Sequence, residues 1–389
     1  MHTPRPYITT DEFRTTAFMK SSSSLPHASM ESHDVVFVDF HDVCKEPSSS
    51  HSLADQLERA YGSSGFGVLV IRNVPGFLQA KSTFLPMAHS LAHLPNLEQD
   101  LTHADSFYNA GWSHGKEKLG DKPDLAKGSF YFNPITDTPG TEQDRRAYPA
   151  SYPPNLWPTA LPDFEPAAKH IGTLMKDVVV ALARHIDAFA AGKVPNYPPN
   201  TLYDAMKDTE KSKGRLLYYF PLTDTTCPPR EDSWIGWHND SGFLTALAGD
   251  MYVDHTTGEA MDCPDPHAGL YVVDRTDKVI HIKIPQNCMA VQMGECVQII
   301  TGGAVVATPH CVRGAAAANV ARISLPIFID TPPTFPLRMP KGCSRENVLE
   351  AGVGSSRVPS LGSRWSDDGV KFGDFLQSTF SQYYEWSKA

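Results

Sequence analysis

Between Arg215 and Ile329 the chain is cut by Gly, Pro and Asp into short apolar runs that leave little room for a long helix. The runs cover residues 216–220, 235–238, 243–247, 269–273, 279–282, 289–293, 304–308 and 322–329. Strand-length runs at this spacing predict a double-sheet jelly roll or a barrel. The preceding half reads differently. Strands are expected at 35–40 and 66–71, with a helix between them capped by Ser52 and stopped at Gly62. Helices are also expected at 78–91 and 96–103. Residues 111–158 are irregular and proline-rich, with enough aromatic side chains to pack. The longest predicted helix is 163–190, where Ile171, Met175, Val178, Val179, Leu182 and Ile186 form one apolar stripe. A last helix is expected at 370–386. The fold class is α+β, a jelly-roll core with flanking helices. Four regions follow: a mobile tail (1–33), an N-terminal α/β region (34–200), the β core (201–335) and a C-terminal loop and helix (336–389).

Composition narrows the function. A net charge of −10 over 389 residues argues against a nucleic-acid partner. The 7 cysteines never form a CxxC pair, which fits reduced thiols in a cytoplasmic protein. No apolar run reaches the roughly 18 residues of a spanning helix, so no membrane partner is expected. The ending Ser387-Lys388-Ala389 only approximates a peroxisomal signal. Oligomeric state is left open, as is any targeting role of the tail.

The sharpest chemical signal is Trp237-His238-Asn239-Asp240-Ser241-Gly242. His238 and Asp240 are two apart and share a strand face. An imidazole and a carboxylate supply two thirds of the facial triad that holds non-haem Fe(II) and leaves other positions open. The third ligand must come from another strand. His310 is the candidate because Arg322 and Ser324 follow it; His255, His267 and His281 compete. Arg322 and Ser324 share a face of an otherwise apolar strand, and an inward arginine needs an anion to meet it. Its planar fork suits a carboxylate. A dicarboxylate co-substrate could reach from the metal to this pair. His-x-Asp alone is weak, and a later histidine is cheap in a chain with 16. The four elements in order are much harder to dismiss.

With these motifs the chain resembles the isopenicillin N synthase-like superfamily of Fe(II)/2-oxoglutarate-dependent dioxygenases. Arg215-Leu216-Leu217-Tyr218-Tyr219-Phe220-Pro221 is similar to its RLNYYP segment, residues 238–245 to HTDxGxLT, Gly269-Leu270-Tyr271-Val272 to GLQV, and residues 291–302 to VNIGDxLQxxTNG. Gly65-Phe66-Gly67 resembles its GFF region. The resemblance implies a double-stranded β-helix, with iron on His238, Asp240 and His310. It implies 2-oxoglutarate on Arg322 and Ser324, with Tyr219 as a further contact. The reaction would use O2, release succinate and CO2, and hydroxylate, desaturate or cyclise a small-molecule substrate, with ascorbate as an optional reductant. Asp240 disfavours halogenation, because it fills the position a halide would need. Two other readings stand beside this one: an iron oxidase of the isopenicillin N synthase type that needs no 2-oxoglutarate, and a non-catalytic jelly-roll binding protein.

The chain departs from the family pattern in three places. Leu217 replaces a common asparagine, so that co-substrate contact is lost. Arg322 follows His310 at longer range than usual, through Ala315–Ala318. Residues 250–266, with a hairpin at 252–260, form a long insertion expected at the barrel mouth. Tyr108, Trp112, His114, Lys116, Phe130, Tyr131 and Asn133 belong to segments that run near the family's site, but core or lid roles are favoured for its aromatics. Phe243 and Phe328 are expected in the pocket or core wall.

Overall fold

The computed structural model describes residues 35–386 apart from 49, 120–121, 223–228, 230–231, 353, 355, 367 and 384. The predicted tail and the Ser387-Lys388-Ala389 ending lie outside the described residues. Twelve strands carry the argument. They are β1 (Val36–Asp39), β2 (Val68–Arg72), β3 (Gly111–His114), β4 (Lys127–Phe132), β5 (Ser212–Tyr219), β6 (Ile235–His238), β7 (Leu244–Asp254), β8 (Gly269–Val273), β9 (Val279–Ile282), β10 (Met289–Met293), β11 (His310–Arg313) and β12 (Val320–Ile329).

The large sheet runs β1-β2-β10-β7-β12-β5-β4-β3, and the small sheet runs β9-β8-β11-β6. Only β1 and β2 among these pairs run parallel. Alternation along β5 and β12 separates two environments. Leu216, Tyr218, Ile323, Leu325, Ile327 and Ile329 join the main apolar core with the long helix α1 (Phe164–Lys193). Leu217, Tyr219, Arg322 and Ser324 face the other way, into a cavity also lined by His238, Leu270 and His310 of the small sheet. The site therefore lies between the sheets. Gly172 of α1 makes the close packing possible, since a Cβ there would come within 2.4 Å of Pro134.

Four expectations need correction. Residues 111–158, read as irregular, supply the paired strands β3 and β4 of the large sheet. Residues 304–308 are buried but form no strand; pairing begins at His310. Pro309 has no N–H to donate to a ladder, although its carbonyl accepts from Val273 N at 3.0 Å. The helix predicted over 78–91 is two, Phe77–Phe84 and Met87–Ala92, with Pro86 at the join. The hairpin after β7 stands at the wrong end for its expected role. Val320 pairs with Asp254 and Ile329 with Leu244, so the hairpin sits at the Val320 end of the sheet. The open cavity beside His238 is bounded instead by Gly242 and Asp330, at the other end.

Candidate metal centre

His238 ends β6 and His310 opens β11, and the two residues are direct partners in the antiparallel ladder. Their ring centroids are 4.2 Å apart. Each Nδ1 lies against a backbone carbonyl two residues earlier, 2.8 Å from Gly236 O and 3.1 Å from Thr308 O. A carbonyl can only accept, so both Nδ1 atoms carry the hydrogen and both Nε2 lone pairs are left for a metal. Asp240 completes the group: one ligand atom from each residue lies within 4.8 Å of the others. His310 Nε2 is 3.8 Å from Asp240 Oδ1, and the buried Asp240 Oδ2 has no hydrogen-bond partner. A buried carboxylate oxygen without a donor is costly. A cation at this point would satisfy it.

The loop carrying Asp240 is tied down at several points. Glu295 N donates to Asp240 O at 2.8 Å, Cys296 N to Gly242 O at 3.0 Å, and Phe243 N to Asp330 Oδ1 at 3.0 Å. A Cβ on Gly242 would come within 2.2 Å of Asp330 Oδ1, so a side chain there would push that carboxylate out of its bond to Phe243 N. Burial pushes the His238 imidazole down to about 3, helped by His310, and burial alone pushes His310 down to about 4. Both rings are neutral at pH 7, the form that ligates. Burial raises Asp240, against its attraction to His238 and a bond from Thr245.

The other end of the inter-sheet cavity holds Arg322, which is 4% exposed. Its longer connection from His310 leaves it pointing inward. Its Nη1 lies 3.4 Å from Ser324 Oγ, its guanidinium stands 4.7 Å from the Tyr219 ring centroid, and Nη2 donates to Asp250. The cavity measures about 90 Å³, room for several water-sized groups.

A scan against protein-family models matches none, and a search of curated proteins finds no match. Solved structures do match. A Caulobacter crescentus protein assigned to the 2OG-Fe(II) oxygenase family aligns with a TM-score of 0.63 at 17% identity, over 90% of this chain and 99% of that one. A full-length Neurospora crassa protein solved with α-KG and 5-formyluracil aligns with a TM-score of 0.61 at 16% identity, over 90% and 98%. A rice dioxygenase for auxin oxidation aligns with a TM-score of 0.56 at 18% identity, over 90% and 95%. The fold is that of the 2OG-Fe(II) oxygenases.

Within this oxygenase fold a second, larger cavity of about 570 Å³ opens on the other side of His238 and Asp240. Tyr131 and Phe328 line it, as do Leu376 and Phe380 of α2 (Phe372–Tyr383). Trp112, Phe130 and Phe243 are core residues instead. His255 and His281 stay apart from His238, Asp240 and His310: His255 Nδ1 meets Tyr218 Oη at 2.8 Å, and His281 stacks on Tyr271. The helix expected at 370–386 is α2, but sequence reasoning assigned it no part in the site; Lys211, Lys213 and the Asp250 contact were overlooked, and Arg215 was taken only as part of a motif. Strand alternation was the available signal: 211, 213 and 215 share a face with Leu217 and Tyr219.

Proposed function

We propose that the chain is an Fe(II)- and 2-oxoglutarate-dependent oxygenase acting on a small organic molecule. One observation carries the reading. Three metal-ligating atoms converge at one end of a cavity whose other end is an inward arginine with a hydroxyl beside it. His238, Asp240 and His310 hold the iron in this reading, and the β core is a double-stranded β-helix. Bound there, ferrous iron with O2 and 2-oxoglutarate supplies oxidising power for an unactivated C–H bond, with release of succinate and CO2.

The chain's own residues do the positioning. The backbone carbonyls of Gly236 and Thr308 fix the two imidazole tautomers. Arg322 and Ser324 take the distal carboxylate of 2-oxoglutarate, and Tyr219 braces the guanidinium through its ring face. Leu217 offers the co-substrate only apolar contact. The larger cavity takes the substrate, and α2 forms part of its wall. The 5-formyluracil and thymine bound in the Neurospora crassa structures are small molecules of the size such a cavity admits. Ascorbate would serve only to keep the iron ferrous.

Asp250 on Arg322 favours a second reading, an iron oxidase that needs no 2-oxoglutarate. Anaerobically purified protein given Fe(II), O2 and 2-oxoglutarate separates the two. Slow succinate release, even without substrate, supports the dioxygenase. Iron binding with no succinate under any condition supports the oxidase. Absence of iron binding removes both.

A further inference from the structure

Strand β10 divides its side chains between two environments. Met289, Val291 and Met293 join the main apolar core. Ala290 and Gln292 face the small sheet, and Gln292 lines the inter-sheet cavity that runs to Arg322. Gln292 is 1% exposed, and its Nε2 has no hydrogen-bond partner among the described residues. The ladder sets Val68 on one side of it and Thr245 on the other, with Ala290 and Leu247 next along the same face. Val68, Ala290 and Leu247 can accept nothing through their side chains, and the Thr245 hydroxyl is already bonded to Asp240. Thr245 also locates the amide. Gln292 is its direct partner in the ladder, so it belongs to the end of the cavity that carries Asp240, away from the Arg322 end. A buried donor without an acceptor is costly, and such groups are rare in folded chains.

Two buried polar atoms at this end lack partners, Gln292 Nε2 and Asp240 Oδ2, and they do not bond each other. A cation satisfies the carboxylate oxygen. It cannot satisfy an N–H, which needs a lone pair. Resting on the oxygenase reading, we propose that Gln292 is a co-substrate-binding residue whose amide N–H donates to 2-oxoglutarate from the Asp240 side of the cavity. Arg322 and Ser324 hold the co-substrate at the far end, and Gln292 adds a donor toward the near one. Leu217 lines the same cavity and offers it carbon alone, so this polar contact comes from β10 instead of β5. A neutral amide suits the position. It gives the anion a hydrogen bond without opposing the charge of a metal beside it, whereas a carboxylate at 292 would repel the anion. The amide therefore acts on co-substrate affinity and leaves metal affinity alone.

Gln292→Met tests this, because it keeps the length of the side chain and removes the amide. Binding of 2-oxoglutarate to full-length, Mn(II)-loaded protein is measured by calorimetry, Mn(II) binding by titration, and stability of the metal-free protein by urea unfolding. The variant should bind 2-oxoglutarate about tenfold or more weakly, the size expected for a hydrogen bond to a charged group. Its Mn(II) affinity should be unchanged. Its urea midpoint should equal or exceed that of the wild type, since an unsatisfied amide has been replaced by an apolar group of similar shape. An amide with a purely structural role gives the opposite pattern, a lower midpoint with co-substrate affinity kept. Unchanged 2-oxoglutarate affinity, a parallel fall in Mn(II) affinity, or a lower midpoint in Gln292→Met would overturn the proposal. Gln292→Asn keeps the amide but withdraws it by one methylene, and it should also lose most of the co-substrate affinity at unchanged Mn(II) affinity; either quantity behaving otherwise counts against the proposal in the same way. The oxygenase reading fails differently. Wild-type protein that binds Mn(II) but no 2-oxoglutarate removes that reading and this proposal together, whereas wild-type binding that persists in Gln292→Met removes the proposal alone.

Discussion

Asp250 of β7 accepts a hydrogen bond from Arg322 Nη2 on the neighbouring strand, so the guanidinium assigned to the co-substrate already holds a carboxylate of its own chain. The pair is asymmetric in exposure: the Arg322 side chain is 5% exposed and that of Asp250 26%. Removing only the arginine would leave Asp250 near a cavity without its counter-ion. Removing only the carboxylate would leave a buried cation asking for an anion.

The internal carboxylate should therefore compete with 2-oxoglutarate. Asp250→Asn should tighten 2-oxoglutarate binding severalfold, and Arg322→Ala should weaken it by about tenfold or more. Equilibrium dialysis of the Mn(II)-loaded variants reads both. Weaker binding in Asp250→Asn would mean that Asp250 orients the arginine rather than opposing the ligand.

A second buried pair links the C-terminal region to the loop that carries Asp240. Arg364 Nη1 donates to Glu295 Oε2 at 2.6 Å and Nη2 to Oε1, with side chains 0% and 1% exposed. Asn239, between His238 and Asp240, donates to the same Glu295 Oε1 at 2.9 Å. Breaking such a pair from one side costs about 3–5 kcal/mol. Arg364→Ala should lose that much in urea unfolding and should also bind Mn(II) more weakly. A loss below about 1 kcal/mol, the range of exposed pairs, would contradict the role given to this link.

Metal-free protein should lose stability in mild acid. The folded state holds His238 and His310 well below 6.5, at about 3 and about 4, mainly through burial. The unfolded chain therefore binds more protons in that window, and stability rises with pH there. It is complete above about pH 6.5 and declines as pH falls toward 4. Asp240, raised by burial, works in the opposite sense, so the measurement belongs in Asp240→Asn. Urea midpoints of that variant in EDTA should fall steadily from pH 7 to pH 5. A flat or rising midpoint would contradict buried neutral imidazoles.

Much of the β core was legible because its strands are short, apolar and bounded by turn residues. The runs at 235–238, 269–273, 279–282 and 289–293 coincide with β6, β8, β9 and β10. The stripe on α1 was equally plain, and its buried positions include every residue named for it. Residues 304–308 misled because apolar content marks burial, not pairing; Ala307 N bonds to the Gln298 side chain instead of a strand. The insertion was misplaced because hydrophobic pattern carries no information on which end of a sheet a hairpin extends. The convergence of His238, Asp240 and His310 and the inward direction of Arg322 could be read from spacing. The Asp250 contact could not, since Asp250 and Arg322 meet only through the register of β7 on β12. Lys213 and Arg215 were overlooked as a pair because the wall they share appears only once β5 is placed beside the cavity.

Anaerobic titration with Fe(II) addresses the centre of the account most directly. Wild-type protein should bind one ferrous ion per chain, and His310→Ala, which removes the ligand brought from the partner strand β11, should bind none while keeping its fold by circular dichroism. Stoichiometric iron in His310→Ala, or none in the wild type, would contradict a centre built from His238, Asp240 and His310.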